Sequence, residues 1–288
     1  MKSVQGIVSA QYLLPALLII GVLTSCKKGG GSGTPGPGPG TAVCAPAGET
    51  TTLIGNEASW QYQYDSKGNV TKIIKLNKYG QQEIVTEVFA DKIIRTTSGA
   101  IIRTNYNANI FEALPSQAQV SLTINGGAEQ TNYYTYSFSY DSKKRLSKIV
   151  EHTASVPNDK EWELIITYND NNNVTKLQYG WTTHPAEPVT VIPVTAYDDK
   201  PNPYAAVKYY KFLMNNYAWD NYDPEPVLTA LSSNNPLDYT LNAGTPQQFK
   251  RTMSYAYNEH GFPTERVNTN KNSSGEATFK QTFSYNCK

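Results

Sequence analysis

Polar and apolar residues alternate along much of the chain with a period of two. Trp60, Tyr62 and Tyr64 are separated by Gln61 and Gln63, and Tyr134, Tyr136, Phe138 and Tyr140 by Thr135, Ser137 and Ser139. In an extended strand that period puts one set of side chains in a core and the other in water. Each run ends at a tyrosine followed by Asp or Asn. The clearest copies are Tyr64-Asp65-Ser66-Lys67-Gly68-Asn69-Val70-Thr71-Lys72-Ile73, Tyr140-Asp141-Ser142-Lys143-Lys144-Arg145-Leu146-Ser147-Lys148-Ile149 and Tyr168-Asn169-Asp170-Asn171-Asn172-Asn173-Val174-Thr175-Lys176-Leu177. Weaker copies start at Tyr197 and Tyr257, and a fragment, Phe283-Ser284-Tyr285-Asn286, closes the chain. Asp65 to Gly68 fits a type I turn, with Gly where the backbone goes left-handed. β-branched residues then resume, so each copy predicts a β-hairpin.

The copies differ at informative places. Gly68 is matched by Gly261 and by Asn172, which tolerates positive φ, whereas Lys144 there carries a strain of roughly 1 kcal/mol. Pro201 cannot adopt positive φ, so the fourth copy must turn differently. Val70 and Ile73, Leu146 and Ile149, and Val174 and Leu177 are all three apart. An odd spacing puts each pair on opposite faces, which calls for either a recurrent bulge or a strand covered on both sides.

Tyr140 to Tyr168 is 28 residues, Tyr168 to Tyr197 is 29, and Tyr257 to Tyr285 is 28. Such a period holds two strands and two turns, and its repetition gives an antiparallel meander. The fold class expected is therefore all-β, with repeated hairpins forming a curled sheet or open barrel. One segment breaks the pattern. Asn202-Pro203 suits a helix start, and Tyr204, Val207, Tyr210, Lys211 and Met214 follow helical spacing, predicting one short helix over 203–215. Asp220 to Pro226 and Ser232 to Pro236 read as Pro/Asn-rich loops.

The first 26 residues read as an address. Met1-Lys2 precedes an apolar run from Tyr12 to Leu23, too short for the roughly 20 residues of a membrane span but suited to a secretory signal. Residues 27–42, rich in Gly and Pro, read as a flexible tether. Residues 43–288 then form a single repeat domain. Hydrophobic residues make up 39% and charged residues 17%, as in a globular chain. With 25 basic and 24 acidic residues there is no electrostatic case for nucleic acid. The 21 tyrosines suit half-exposed sheet positions, with ring packed and hydroxyl wet.

Chemistry-bearing motifs are sparse. His152, His184 and His260 are far apart and lack metal-ligand spacing, and no nucleophile elbow, phosphate loop or dinucleotide fingerprint occurs. The expectation is no metal, no cofactor and no catalytic residue. Glu161 and Glu163 flank Trp162 and read as a solvated strand face rather than a glycosidase pair. Asp198-Asp199 and Asp220 to Asp223 read as turns rather than calcium loops. Trp162, Tyr179, Trp181, Trp219 and Tyr222 fall near strand ends or loops and are the candidate ligand-binding residues. Cys44 and Cys287 stand at opposite ends of the domain. In an oxidising compartment they suggest a clasp, the alternative being two free thiols.

Leu23-Thr24-Ser25-Cys26 resembles the lipobox of bacterial lipoproteins, which implies lipid attachment at Cys26. The Tyr-Asp units resemble YD (RHS-like) repeats. Together with the tether, Tyr-Asp-Asp-Lys-Pro-Asn-Pro-Tyr at 197–204 and Ser-Ser-Asn-Asn-Pro at 232–236, they are similar to a family of uncharacterised Bacteroidetes lipoproteins. That resemblance implies a porin-like curled antiparallel sheet and an outer-membrane address, on either the periplasmic or the cell-surface side. It implies no activity. The expected function is a lipid-anchored, non-enzymatic envelope protein that binds a glycan or a protein partner. The alternatives are a hydrolase with an unrecognised carboxylate site and a purely structural envelope component.

Overall fold

The computed structural model describes residues 44–53, 56–153, 160–182, 189–207, 209–213, 224–243, 248–272 and 275–287. They form one curled antiparallel sheet of 17 strands with two short helices. The first half is β1 (Cys44–Leu53), β2 (Asn56–Tyr64), β3 (Val70–Asn77), β4 (Gln82–Val88), β5 (Lys92–Thr97), β6 (Ala100–Tyr106), β7 (Gln117–Ile124), β8 (Gln130–Tyr140) and β9 (Leu146–Thr153). The second is β10 (Lys160–Tyr168), β11 (Val174–Trp181), β12 (Thr190–Pro193), β13 (Ala196–Pro201), β14 (Asn234–Leu241), β15 (Phe249–Tyr257), β16 (Pro263–Asn272) and β17 (Gly275–Cys287). Neighbours in sequence pair from β1 through to β12 and from β13 through to β17, and β17 returns to pair with β1. At that junction Cys44 lies opposite Cys287, and their sulfurs are joined at 2.03 Å.

The ladder is interrupted at one seam. β12 and β13 are successive parts of a nearly continuous strand that changes partner: β12 pairs with β11, and β13 pairs with β14. Val194 still donates its N–H to Thr175, while Thr195 turns its N–H and hydroxyl to Asp238 Oδ1. Below it, Asn173 and Asn234 exchange two hydrogen bonds across the gap. Side chains thus tie a seam that main-chain pairing leaves open.

The Tyr-Asp copies lie at hairpin ends, with Gly68 (φ 83°), Asn172 (φ 61°) and Gly261 (φ 82°) at the reversals; Lys144 is also left-handed (φ 62°). The repeated residues have separate tasks. Asp65 Oδ1 accepts the N–H groups of Lys67 and Asn69 at 2.8 Å, and Asp141 and Asn258 repeat the pattern. The odd spacing resolves as a bulge. The register slips just before Tyr64, Tyr140, Tyr168 and Tyr257, leaving Thr71, Ser147, Thr175 and Thr264 as the extra residues. Each of these hydroxyls donates back across the pair, Thr71 to Gln63 O and Ser147 to Ser139 O, for example. Because of the slip, Leu146 and Ile149 both point inward and are fully buried. The tyrosine hydroxyl staples successive hairpins: Tyr168 donates to Leu146 O, Tyr197 to Val174 O and Tyr285 to Pro263 O, at 2.7–2.8 Å.

The fourth copy turns differently. β13 and β14 are the arms of a hairpin whose reversal is expanded to residues 202–233, and its described residues Tyr204, Val207, Tyr209, Phe212, Val227 and Leu228 join the core. Asp198 still caps the reversal, but Asn235 now supplies the N–H and amide that Asn69 gives to Asp65. The helix expected over 203–215 is largely absent from the described part. Asn202 caps Tyr204 N–H as anticipated, but the chain then makes successive three-residue turns, and only Tyr210–Leu213 (α1) is helical. The aromatic side chains are drawn to separate partners. Tyr209 hydroxyl accepts from Val70 N–H, Tyr106 hydroxyl donates to Phe212 O, and Tyr204 stacks on Tyr210 with ring centroids 3.7 Å apart. A second helix, Glu225–Leu231 (α2), starts in the last two residues of the Asp220–Pro226 stretch read as loop and continues over 227–231, where no element was expected; its first turn is disguised by Pro224 and Pro226. Ser232 to Pro236, also read as loop, runs into β14.

Candidate functional site

A cavity of about 380 Å³ lies inside the curl, between the inner faces of β17 and β1 to β5 and the inserted segment. Its wall is Thr51, Trp60, Lys75, Ile84, Arg95 and Phe279. These residues lie toward the strand ends remote from the Tyr-Asp turns. The alternation that buries Tyr62 puts Trp60 on the same inner face, and Trp60 pairs directly with Lys75, whose ammonium sits 5.8 Å from the indole centroid.

The floor is ionic and buried. Glu225, at the start of α2, places Oε2 2.7 Å from Arg251 Nη1, and its Oε1 contacts Arg266 Nη2. Arg266 also donates to Gln281 Oε1, and Gln281 Nε2 donates to Glu49 Oε2 at 3.2 Å. Tyr204 hydroxyl donates to the same Glu49 oxygen. One network therefore runs from the inserted segment through β16 and β17 to β1. Burial pushes the Glu49 carboxyl above the usual carboxylate range, and the Tyr204 hydrogen bond pulls the other way without reversing it. Arg251 is packed among Tyr239, Phe249 and Phe279, its guanidinium carbon 5.0–5.5 Å from the three ring centroids. Two polar atoms of lining residues, Arg266 Nε and Thr229 Oγ1, have no hydrogen-bond partner among the described residues.

The aromatics singled out from sequence sit elsewhere. Trp162 is 2% exposed, lies opposite Trp181 and is 5.9 Å from the Tyr179 ring; Tyr179 and Trp181 pack against the core. None of the three lines the cavity. Trp219 and Tyr222 lie outside the described residues, as do His184, Asp220 and Asp223. Glu161 and Glu163 share the outer face, near His152 at 3.8 Å and Lys148 at 2.6 Å respectively. Asp198 is a turn cap beside the seam. His260 approaches the sulfurs of Cys44 and Cys287, but a disulfide has no thiolate to offer a metal. Sequence reasoning missed Arg95, Arg251 and Arg266 because charged residues in alternating strands read as a solvated face, and Glu225 because it lies in a stretch read as a Pro/Asn-rich loop. The aromatic alternation at Trp60 was the usable signal.

The outer face bears on membrane crossing. Gln61 and Gln63 on β2, Ser137 and Ser139 on β8, Lys250, Thr252 and Ser254 on β15, and Lys280, Thr282 and Ser284 on β17 point outward and are exposed. The outward aliphatics Ile74, Val85 and Ile94 on β3 to β5 are interleaved with the Lys72–Glu87 pair. A bilayer-spanning barrel needs the reverse, an apolar outside and a polar lumen.

No family model matches the chain, and no curated protein matches it in sequence. Its fold is similar to solved structures. A porin-like protein from Bacteroides uniformis ATCC 8492 aligns with a TM-score of 0.56 at 13% identity, covering 83% of this chain and 96% of that one. A porin-like protein from Bacteroides vulgatus ATCC 8482 aligns with a TM-score of 0.52 at 12% identity, covering 85% and 99%. At these identities the likeness concerns the fold.

Proposed function

We propose that the chain is an exported lipoprotein, acylated at Cys26 and held at the outer membrane through residues 27–42, whose curled sheet binds a saccharide in the interior cavity. It would belong with the Bacteroidetes lipoproteins that its Tyr-Asp repeats resemble, an assignment supported by the fold it shares with two Bacteroides proteins. The observation that carries the binding reading is the cavity itself. An indole and a phenyl ring stand over a floor of fixed hydrogen-bonding groups, as sugar recognition requires of a concave site. The hydrophilic outer face and the filled interior favour binding over passage through a membrane pore.

A hydrolase reading calls for Glu161, Glu163, Asp198 and a histidine in one cleft. Glu161 and Glu163 lie outside the curl, and Asp198 serves the seam. Within the cavity Glu225 is clamped by two guanidiniums. Binding without turnover is the better-supported reading. A glycan array probed with the wild-type chain and with Trp60→Ala tests it. The expected result is a defined set of bound glycans lost on removal of the indole. An empty array, or a signal indifferent to the substitution, refutes it. Metabolic labelling with a fatty acid tests the anchor, and the label should vanish in Cys26→Ala.

A further inference from the structure

We infer that the cavity is a socket for the end of a glycan chain: it takes a terminal sugar and the unit next to it, and excludes the interior of a polysaccharide. The inference rests on the saccharide reading above and deepens it.

Exposure along the lining strands is graded. Glu49 on β1, Tyr62 on β2, Thr86 on β4 and Gln281 on β17 all line the cavity and are 7–8% exposed. Two places further from the Tyr-Asp turns, on the same inner faces, Thr51, Trp60, Ile84 and Phe279 are half-buried. β5 repeats the order, with Ile93 fully buried and Arg95 half-buried. Water therefore reaches these faces from one direction, that of the strand ends remote from the Tyr-Asp turns. The other direction is shut. Beyond the buried tier the interior is filled by Val70, Val88, Ile93, Tyr106 and Phe212, members of one apolar core. The wall itself has no gap, because β17, β1, β2, β3, β4 and β5 each pair with the next. Among the described residues the cavity is thus blind. A polysaccharide lying along a cleft needs an exit as well as an entrance, whereas a blind cavity admits a chain by its end.

The volume sets the length admitted. A hexose unit takes the place of on the order of six waters, about 180 Å³ at about 30 Å³ each. The cavity of about 380 Å³ holds about two such units, and it stands near the lower end of the roughly 300–1,000 Å³ of ligand pockets. The two tiers also differ in chemistry. In the buried tier Glu49, Tyr204 and Gln281 are bonded to one another and so held in fixed positions, as the hydroxyls of a terminal sugar require. The half-buried tier presents the Trp60 and Phe279 rings, which suit the apolar face of the second unit.

Titration calorimetry on the purified full chain tests this with malto-, cello-, xylo-, manno- and chito-oligosaccharides of increasing length, from the monosaccharide to the hexasaccharide, and with the linear polymers amylose and xylan. In any series that binds, affinity should rise about tenfold or more from the monosaccharide to the disaccharide, the worth of one aromatic contact. From the disaccharide to the hexasaccharide it should change by less than about twofold, a difference of about 0.4 kcal/mol. A polymer should load one protein per chain, whatever its length. Affinity that climbs steadily to the hexasaccharide, or a polymer that loads several proteins per chain, overturns the chain-end inference and leaves the saccharide reading standing. A disaccharide that binds no better than its monosaccharide does the same. If no saccharide binds, both fall.

Discussion

Glu225 offers a direct test of how the inserted segment is held. Its carboxylate lies 2.7 Å from Arg251 Nη1 and also contacts Arg266, and the three side chains are only 6–7% exposed. Solvent therefore does little to screen the interaction. Glu225→Gln keeps the shape and removes the buried carboxylate that both guanidiniums contact. Breaking a buried ion pair from one side costs about 3–5 kcal/mol, a large share of a total stability of about 5–15 kcal/mol. The expected result in urea unfolding is an unfolding free energy lower by that amount, read as a lower midpoint with little change in slope. Hydrogen exchange should also speed up at Ser232, whose N–H closes α2 onto Leu228. The triple variant Glu225→Leu, Arg251→Met, Arg266→Met removes all three charges together and should be near neutral or more stable, because desolvation is relieved. A Glu225→Gln loss below about 1 kcal/mol, or a triple variant weaker than the single one, would show that the network does not fasten the insertion.

Three further outcomes are expected. Replacing Cys44 and Cys287 with serine opens a bridge of sequence separation 243 and should cost up to about 5 kcal/mol, read as a urea midpoint that matches the reduced wild type. Lys144→Gly should raise stability by about 1 kcal/mol in thermal melts, since Lys144 sits at φ 62° with a side chain that disfavours it. Glu151 is buried on β9 with one oxygen unpartnered, and burial raises its pKa from 4.5 to about 7. The folded state therefore holds a proton that the unfolded state releases. That contribution is full below about pH 4.5 and is lost as pH rises through 7, about 3 kcal/mol in all. Glu151→Gln should flatten stability between pH 5 and 8, as measured by urea titration at each pH.

Much of the sheet was legible because its determinants are local. An Asp or Asn that caps its own turn, a Gly or Asn at the reversal and an alternating run before it are each written within ten residues. The odd spacing of Leu146 and Ile149 left a bulge and a strand covered on both sides as alternatives, and the bulge is the one that forms, with Ser147 bonding across it through its hydroxyl. The insertion was harder to read. Its segments take their shape from distant partners, such as Val70 for Tyr209 and Glu49 for Tyr204, and no periodicity in 202–233 encodes those contacts. The site was legible least of all. Arg251 and Arg266 alternate with polar residues just as solvated cations do, and only closure of β17 onto β1 shows that they face inward. Trp162 drew notice as a ring near a strand end, yet its indole is core.

The expanded fourth reversal has a consequence for how such a chain diversifies. The outer wall is specified by repeats whose strand registers are set outside residues 202–233; from that stretch Tyr209 and Ser232 accept the Val70 and Val174 N–H groups, and just beyond it Asn235 caps Asp198. A second chain with the same wall and a different stretch there would hold a chamber of another size and chemistry without renegotiating a single strand register. Trimming the stretch to an ordinary four-residue reversal would leave a hollow cup, so the container and its contents are written in separable parts of the chain.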